Sequence, residues 1–169
     1  MADFGKNPHK LRDGAVVRYP LADLTIQELP DNIAGGVLQV LYAGEHKNAG
    51  LRAARRANAL LRAKERQLSR DEDKAKREGK ELEQFRHDQL ARLQFEEACE
   101  QYGAHVIVGW EGVNDRHGVA VAFSPDEARQ LLAFLGPELC DSLFLFCQVW
   151  HNFSDAAIDA EEVADVANP

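Results

Sequence analysis

Acidic side chains and a histidine that could support acid–base or metal chemistry lie within residues 109–132, which read GWEGVNDRHGVAVAFSPDEARQLL. Asp115 and His117 could belong to a catalytic pair, although a histidine in a turn is more often only solvated. A calcium loop needs oxygen ligands at alternate positions and a distal glutamate. Asn114, Asp115 and Glu127 do not have that spacing. The residue types allow chemistry here, but their spacing does not favour it.

The cysteines do not form a recognisable metal site. Cys147 and His151 are four residues apart and could share a helix face, but a zinc site requires two more ligands. The chain contains three cysteines, Cys99, Cys140 and Cys147. An odd number is typical of free thiols in a reducing cytoplasm. The sequence contains no phosphate loop, dinucleotide fingerprint or Gly-x-Ser-x-Gly elbow. We therefore expect a protein that is not an enzyme, with no catalytic residue, metal or cofactor.

The segment 109–132 is better interpreted as a turn that leads into a helix. Glycine, asparagine and aspartate tolerate the dihedral angles of tight turns. The Ser-Pro-Asp-Glu sequence predicts a helix start, with Ser124 as the N-cap and Pro125 at the first helical position. The residues to which we assign a structural role are Gly109, Trp110, Gly112, Asp115, Gly118, Ser124 and Glu127.

The elements that would position these residues are mostly helical. Two β-prone runs, Ala15–Tyr19 and Leu24–Leu29, predict a hairpin over residues 13–30, and Val37–Ala43 is interpreted as a short buried helix. Residues 49–102 lack proline and predict a long or broken helix, with a break near Ser69, where SRDE resembles a capping box. Residues 124–153 predict two C-terminal helices that meet at Gly136-Pro137.

The predicted fold is mainly α: one helical domain over residues 13–153 with a small N-terminal β-hairpin and a long, charged helical segment that could protrude. A flexible arm at residues 1–12 and a mobile acidic tail at residues 154–169 flank this domain. The sequence has no run of about 18 apolar residues, so we expect no membrane span. Its beginning lacks the apolar core of a secretory signal. A soluble intracellular protein is expected.

The net charge of −8 hides a strong polarity along the chain. Residues 45–80 contain twelve Lys or Arg and six Asp or Glu, a net charge of +6, whereas residues 96–169 contain two and fourteen, a net charge of −12. Such asymmetry can steer a partner or organise self-association between unlike ends. The basic segment 51–80 could be an exposed arm or an antiparallel helical pair, and it could equally be partly disordered when alone. It lacks the interleaved aromatic residues typical of nucleic-acid binding, so a solvated face or a surface for an acidic protein is favoured.

The last predicted helix has an unusually apolar surface. One face carries apolar residues at spacings of three and four, namely Leu139, Leu143, Phe146, Cys147 and Trp150. Phe144 and Leu145 extend this surface around the helix. A helix this apolar is either enclosed by the fold or offers part of its surface to a partner.

An ordered series of residues resembles the C-terminal half of the tail assembly chaperones of long-tailed bacteriophages. The series consists of Gly109-Trp110-Glu111-Gly112-Val113, Asp115, Gly118, Phe123-Ser124, Glu127, Ala128, Leu131-Leu132 and Asn152-Phe153. Near the N-terminus, Asp13-Gly14, Val17, Tyr19 and Leu24-Thr25-Ile26 are similar as well. The resemblance covers roughly residues 11–153, but the long, strongly charged middle segment departs from the family pattern.

The resemblance implies a small, mostly helical, non-enzymatic protein made in the host cell cytoplasm. Such chaperones bind the tape-measure protein, keep it soluble and help to recruit tail-tube subunits, and a homo-oligomer is compatible with this role. A groove that accepts another helix would be the mode of binding, and we hypothesise that Leu143, Phe146 and Trp150 contribute to it. The alternative is a structural virion protein, such as a minor tail or head–tail component; a nucleic-acid-binding regulator is less favoured.

Overall fold

Most of the residues that the structure describes are helical. The structure is a computed structural model that describes residues 11–25, 29–79 and 84–160. The strands are β1 (Val16–Pro20), β2 (Val37–Leu41) and β3 (Ile107–Glu111). The helices are α1 (Asp31–Ala34), α2 (Ala49–Ala57), α3 (Ala59–Arg77), α4 (Gln84–His105), α5 (Pro125–Leu135) and α6 (Pro137–Gln148). Two 3-10 turns, Leu21–Leu24 and Trp150–Phe153, follow β1 and α6. The predicted mainly α fold class is confirmed.

A small antiparallel sheet supports the N-terminal part of the domain. Its strand order is β1-β2-β3, with a register irregularity between Gln39 and Val40 of β2. Successive side chains of a strand point to opposite faces, and here one face is buried in the core. The buried side chains of the sheet are those of Val17, Tyr19, Leu38, Val40 and Ile107.

The strand pairing differs from the predicted hairpin. The partner of β1 is β2, with Val16 opposite Leu41, so the expected pairing with Leu24–Leu29 is wrong; residues 26–28 of that run lie outside the described residues. The expected helix at Val37–Ala43 is also wrong, because its first five residues form β2. Both faces of β2 carry apolar residues, so the sequence lacks the polar alternation that indicates a strand. The apolar run before Gly112 forms the third strand, β3.

The segment 49–102 forms a broken series of helices. A break lies at Asn58, between α2 and α3, and α3 ends at Arg77. Helix α3 continues through Ser69, so the predicted break at that residue is wrong. An N-cap requires the chain to enter the helix from an extended conformation, and the strong helix formers on both sides of Ser69 keep the backbone helical instead.

Helices α3 and α4 pack as an antiparallel pair. Near the start of α3, Arg62 and Glu65 line the same cleft as Glu97 and Gln101 of α4. One to two turns later, a groove of about 460 Å³ lies between the two helices, and half-buried Leu68 and Leu93 contribute to its walls. Of the arrangements left open for the basic segment, the helical pair is therefore the observed one.

The main core lies between the sheet and the C-terminal helices. It is formed by fully or almost fully buried side chains that include Tyr102, Leu132, Cys140, Leu143 and Phe153. Gly103 of α4 lets α5 approach closely, because a Cβ atom there would lie 3.1 Å from the carbonyl oxygen of Pro125. Among the described helices, none combines the length and the apolar character that a bilayer crossing requires.

The two ends of the described domain contact each other. Leu11 forms a β-bridge with Ser154, and the Arg12 amide donates to the Phe153 carbonyl oxygen at 3.1 Å. The Arg12 guanidinium pairs with Asp155. Residues 155–160 are helical and bury Ile158, so the expectation of a mobile tail is wrong for residues 154–160. The expectation of a flexible arm is wrong for residues 11 and 12; residues 1–10 and 161–169 lie outside the described residues.

Candidate partner-binding surface

Helix α6 buries a narrow stripe of its surface. Gly136, with φ of +82°, turns the chain between α5 and α6, and Pro137 occupies the first turn of α6. Cys140, Leu143 and Cys147 follow at spacings of three and four and are fully buried. Leu143, which the sequence predicted to contact a partner, is therefore part of the core, and in this conformation it is closed to a partner.

Phe146 lies at the border between the core and the surface. Its half-buried ring contacts Tyr19 edge-on, with centroids 4.9 Å apart, and also Phe153 at 5.8 Å. Its carbonyl oxygen accepts a hydrogen bond from the Asn152 side chain at 2.9 Å. These contacts place Phe146 in the packing between α6, β1 and the last 3-10 turn, so only part of its ring could meet a partner.

Trp150 is the predicted partner-binding residue with the greatest exposure. Its side chain is 37% exposed, and its ring stacks on His151 with centroids 3.6 Å apart. Two further apolar residues nearby in the chain are more exposed: Leu145 at 64% and Val149 at 45%. We call these three residues, Leu145, Val149 and Trp150, the α6 edge.

The spacing of apolar residues in α6 selected Leu143 and missed Leu145, which the structure shows to be exposed. The apolar face at spacings of three and four identifies the buried stripe, and Leu143 belongs to it. Leu145 instead shares a helix face with exposed Glu138, Asp141 and Ser142. The signal that could have identified it is an apolar residue among polar neighbours at helical spacing.

The turn after β3 is held by the residues with predicted structural roles. The Asp115 carboxylate accepts hydrogen bonds from the backbone N–H groups of His117, at 2.8 Å, and Val119, at 2.9 Å. Gly118 has a φ of +78°, in the region that favours glycine. The Trp110 indole N–H donates to the Val121 carbonyl oxygen at 2.8 Å. Asp115 is thus a hydrogen-bond acceptor of the turn.

Two glycines before this turn allow close packing. A Cβ atom at Gly112, whose φ is +68°, would lie 2.9 Å from the Gly35 carbonyl oxygen. At Gly109, in β3, a Cβ atom would lie 2.5 Å from the Gln39 side-chain oxygen of β2. The Gln39 side chain can move away from Gly109, whereas the Gly35 carbonyl oxygen belongs to the backbone, so glycine at position 112 is what allows the turn to lie close to the chain before β2.

The predicted cap of α5 is confirmed. The Ser124 hydroxyl oxygen accepts a hydrogen bond from the Glu127 N–H at 3.1 Å, and Pro125 is the first helical residue. Glu127 also lies in the first turn, where a negative charge interacts favourably with the helix dipole.

We expect the Ser124→Ala variant to lose about 1 kcal/mol of the free energy of unfolding, because one amide of the first turn of α5 loses its acceptor. Urea denaturation followed by circular dichroism at 222 nm measures this loss. Ser142→Ala, at an exposed position on α6, is the matched control and should change stability by less than about 0.5 kcal/mol. Equal stability of the two variants would contradict the role of the Ser124 cap.

A polar cleft lies where α2, α3, α4 and α6 meet, with a volume of about 380 Å³. The Arg55 guanidinium donates to Glu45 at 2.6 Å and to Gln101 at 3.2 Å, and the hydrogen bond from Arg55 lowers the pKa of Glu45. Burial raises the pKa of Glu97, with a smaller contribution from nearby Glu65. The Glu97 carboxylate accepts hydrogen bonds from Gln101, at 2.8 Å, and Asn58. This network ties the start of α3 to α4.

The buried thiols do not resemble reactive cysteines. Desolvation raises the pKa of Cys99 to about 11 and that of Cys140 to about 12, and it also raises that of Cys147. A thiolate, which is the reactive and metal-binding form, is therefore disfavoured at each position. Cys147 is buried whereas His151 is exposed on another element. In the described part of the chain, no group of three or more His, Cys, Asp or Glu residues could hold a metal ion.

The sequence model of the YdaY prophage protein family matches residues 50–164. The chain belongs to the YdaY prophage protein family. The match extends from the second residue of α2 beyond α6, so it includes the turn after β3 and the α6 edge, whereas β1 and β2 precede it. No curated protein and no solved structure matches the chain significantly.

Membership of the YdaY family confirms the phage origin indicated by the motif residues. The family description carries no statement about tail assembly, so the more specific assignment stays a prediction. Within the matched region, the α6 edge brings three exposed apolar side chains together within six residues of the chain, while Phe134 and Val119 are exposed elsewhere.

Proposed function

We propose that this prophage protein is a tail assembly chaperone that binds the tape-measure protein, keeps it soluble and helps to recruit tail-tube subunits. It acts in the host cell cytoplasm, without enzymatic activity or a cofactor. The observation that carries the proposal is the α6 edge, where Leu145, Val149 and Trp150 are exposed beside a well-packed core. The prophage family match and the resemblance of the motif between Gly109 and Leu132 support it.

The α6 edge suits a client that is rich in amphipathic helices. An apolar helix face of the client would cover Leu145 and Val149, and burying an exposed leucine contributes about 1.5–3 kcal/mol. The Trp150 ring offers a large, partly exposed apolar area with a polar N–H group, a combination that is enriched at interfaces. Leu143 acts indirectly, because it anchors α6 to the core.

We expect the Leu145→Glu variant to keep about tenfold less tape-measure protein in solution than the wild type, because a charge would replace an apolar contact. The test is co-expression with the tape-measure gene of the same prophage, followed by quantification of the soluble complex. Ser142→Glu is the matched control, since it adds the same charge at an exposed position on the same face of α6. It should leave the yield of complex unchanged.

Two outcomes would contradict the proposal. One is equal solubilisation of the tape-measure protein by the wild type and by Leu145→Glu, provided that circular dichroism shows both to be folded. The other is recovery of the chain in purified phage particles at a fixed copy number, which would favour a structural virion protein instead. A chaperone is expected to be absent from finished particles.

A further inference from the structure

The outer side of α3 carries a row of positive charges. Arg62, Arg66, Arg70 and Lys74 follow one another at intervals of four residues, and Arg77 comes three residues later. Residues at these spacings lie on one side of a helix. All five side chains are exposed. We call this row the basic stripe.

Apart from Arg62, which lines the polar cleft between α3 and α4, the basic stripe faces away from α4. The residues of α3 that approach α4 or are half-buried include Glu65, Leu68, Asp71 and Glu72, which lie on the opposite side of the helix. Most of the acidic residues of α3 therefore lie on the side of the helix that is nearer to α4. Two of them also have partners within α3: Glu72 pairs with Lys76 at 3.2 Å, and Asp71 accepts a hydrogen bond from Gln67. Asp73 is the one acid of α3 near the stripe.

Arg62 interacts electrostatically with the carboxylates of Glu45 and Glu97 across the polar cleft, whereas the other four cations of the stripe form no ion pair with the described residues. Across residues 11–25, 29–79 and 84–160, no carboxylate lies within ion-pair distance of the five side chains. Like charges at i,i+4 spacing repel one another on a helix. An external negative surface would relieve this repulsion.

The C-terminal half of the same chain provides such a surface. Residues 96–169 have a net charge of −12, and Glu138 and Asp141 are exposed on the outer face of α6. Both acids belong to the first turns of α6 and share a helix face with Leu145, which lies about 6 Å of helix beyond Asp141 and about 10 Å beyond Glu138.

We propose that the basic stripe docks on the acidic outer face of α6 of a second copy of the chain. The contact is heterologous, because two different surfaces meet, and repeated contacts of this kind generate rings or open filaments. Charge complementarity favours a second copy over nucleic acid, since a polyanion that reached the stripe would also meet the excess negative charge elsewhere on the molecule. The inference does not depend on client binding.

The test is a charge swap followed by sedimentation velocity. The first variant, R66E/R70E/K74E, reverses the stripe, and the second, E138K/D141K, reverses the acidic face. Each variant alone should associate about tenfold more weakly than the wild type. An equimolar mixture should recover association, because the acidic stripe of the first variant meets the basic face of the second and the two unchanged surfaces also meet. Wild-type association should weaken between about 0.05 M and 0.5 M NaCl.

The control is K47E/K64E/R92E, which changes the net charge by the same amount at exposed positions outside the stripe; because it also removes the ion pairs of Lys47 with Asp13 and of Arg92 with Glu96, circular dichroism must first show that it is folded. It should associate like the wild type. The inference is overturned if the wild type is monomeric at low salt, if the stripe variant associates normally, or if the mixture of two folded variants stays monomeric. It is also overturned if stripe reversal abolishes binding to a DNA duplex while self-association persists, since the stripe would then be a nucleic-acid surface.

Discussion

The Leu143→Ala variant is expected to lose about 2–5 kcal/mol of the free energy of unfolding. Leu143 is fully buried, so its truncation removes apolar contacts and leaves a cavity in the core. Urea denaturation monitored by circular dichroism measures the loss. An effect of this size would leave a marginally stable protein largely unfolded at physiological temperature, and partner binding would then fail as a consequence of lost folding.

Leu145→Ala is the matched control for this prediction. It makes the same chemical change two residues further along α6, at a side chain that is 64% exposed. Both variants change helix propensity equally, so the difference between them reports burial. We expect Leu145→Ala to change stability by less than about 0.5 kcal/mol. Similar losses in the two variants would mean that the assigned orientation of α6 is wrong.

The Gly112→Ala variant is expected to be the second most destabilised, with a loss of about 2–4 kcal/mol. Two costs combine at this position: a positive φ of +68°, and a Cβ atom 2.9 Å from the Gly35 carbonyl oxygen. Because the atom that the new Cβ would meet belongs to the backbone, the end of β3 and the chain before β2 would have to separate. Thermal unfolding at equal protein concentration provides the measurement.

Gly118→Ala separates the two costs. Gly118 has a similarly positive φ of +78°, but a Cβ atom there would have nothing within 4 Å. Only the conformational cost of about 1–2 kcal/mol is expected. If Gly112→Ala is no more destabilising than Gly118→Ala, the close approach to Gly35 does not contribute to stability.

The sequence predicted those parts of the fold that depend on local chemistry. The start of α5 follows from Ser124 and Pro125, and the boundary between α5 and α6 follows from Gly136 and Pro137. A capping hydroxyl and a proline act within a few residues, so their effects can be read without knowledge of the tertiary structure. The helix-rich segment after Ala49 was predicted for the same reason.

Strand β1 was predicted as the β-prone run Ala15–Tyr19, but β2 and β3 could not be predicted in this way. The five residues of β2 include apolar side chains on both faces, and Val37 and Leu41 are half-buried rather than exposed. A short apolar run of this kind is compatible with either a buried strand or a buried helix. The pairing of β2 with both β1 and β3 decides between them, and β3 lies more than sixty residues further along the chain.

The proposed partner-binding surface shares Trp150 with the residues that the sequence predicted, whereas predicted Leu143 lies on the buried side of α6. Leu143 and Leu145 are the same residue type on one helix, and both are compatible with a partner surface in the sequence. Their difference arises because the buried side of α6 packs against distant elements, including β1 through Tyr19 and α4 through Tyr102. Which side of an apolar helix is buried depends on the elements that pack against it. The spacing of apolar residues alone does not identify those elements.

The contact between the two ends of the domain makes its topology nearly circular. The bridge between Leu11 and Ser154 and the pairing of Arg12 with Asp155 join the beginning of the described chain to its end. The start of β1 and the turn of helix that buries Ile158 therefore open together, as a single cooperative unit. A new pair of termini could be placed elsewhere, for example at the turn at Gly118, in a permuted protein in which residues 11 and 160 are joined by a linker.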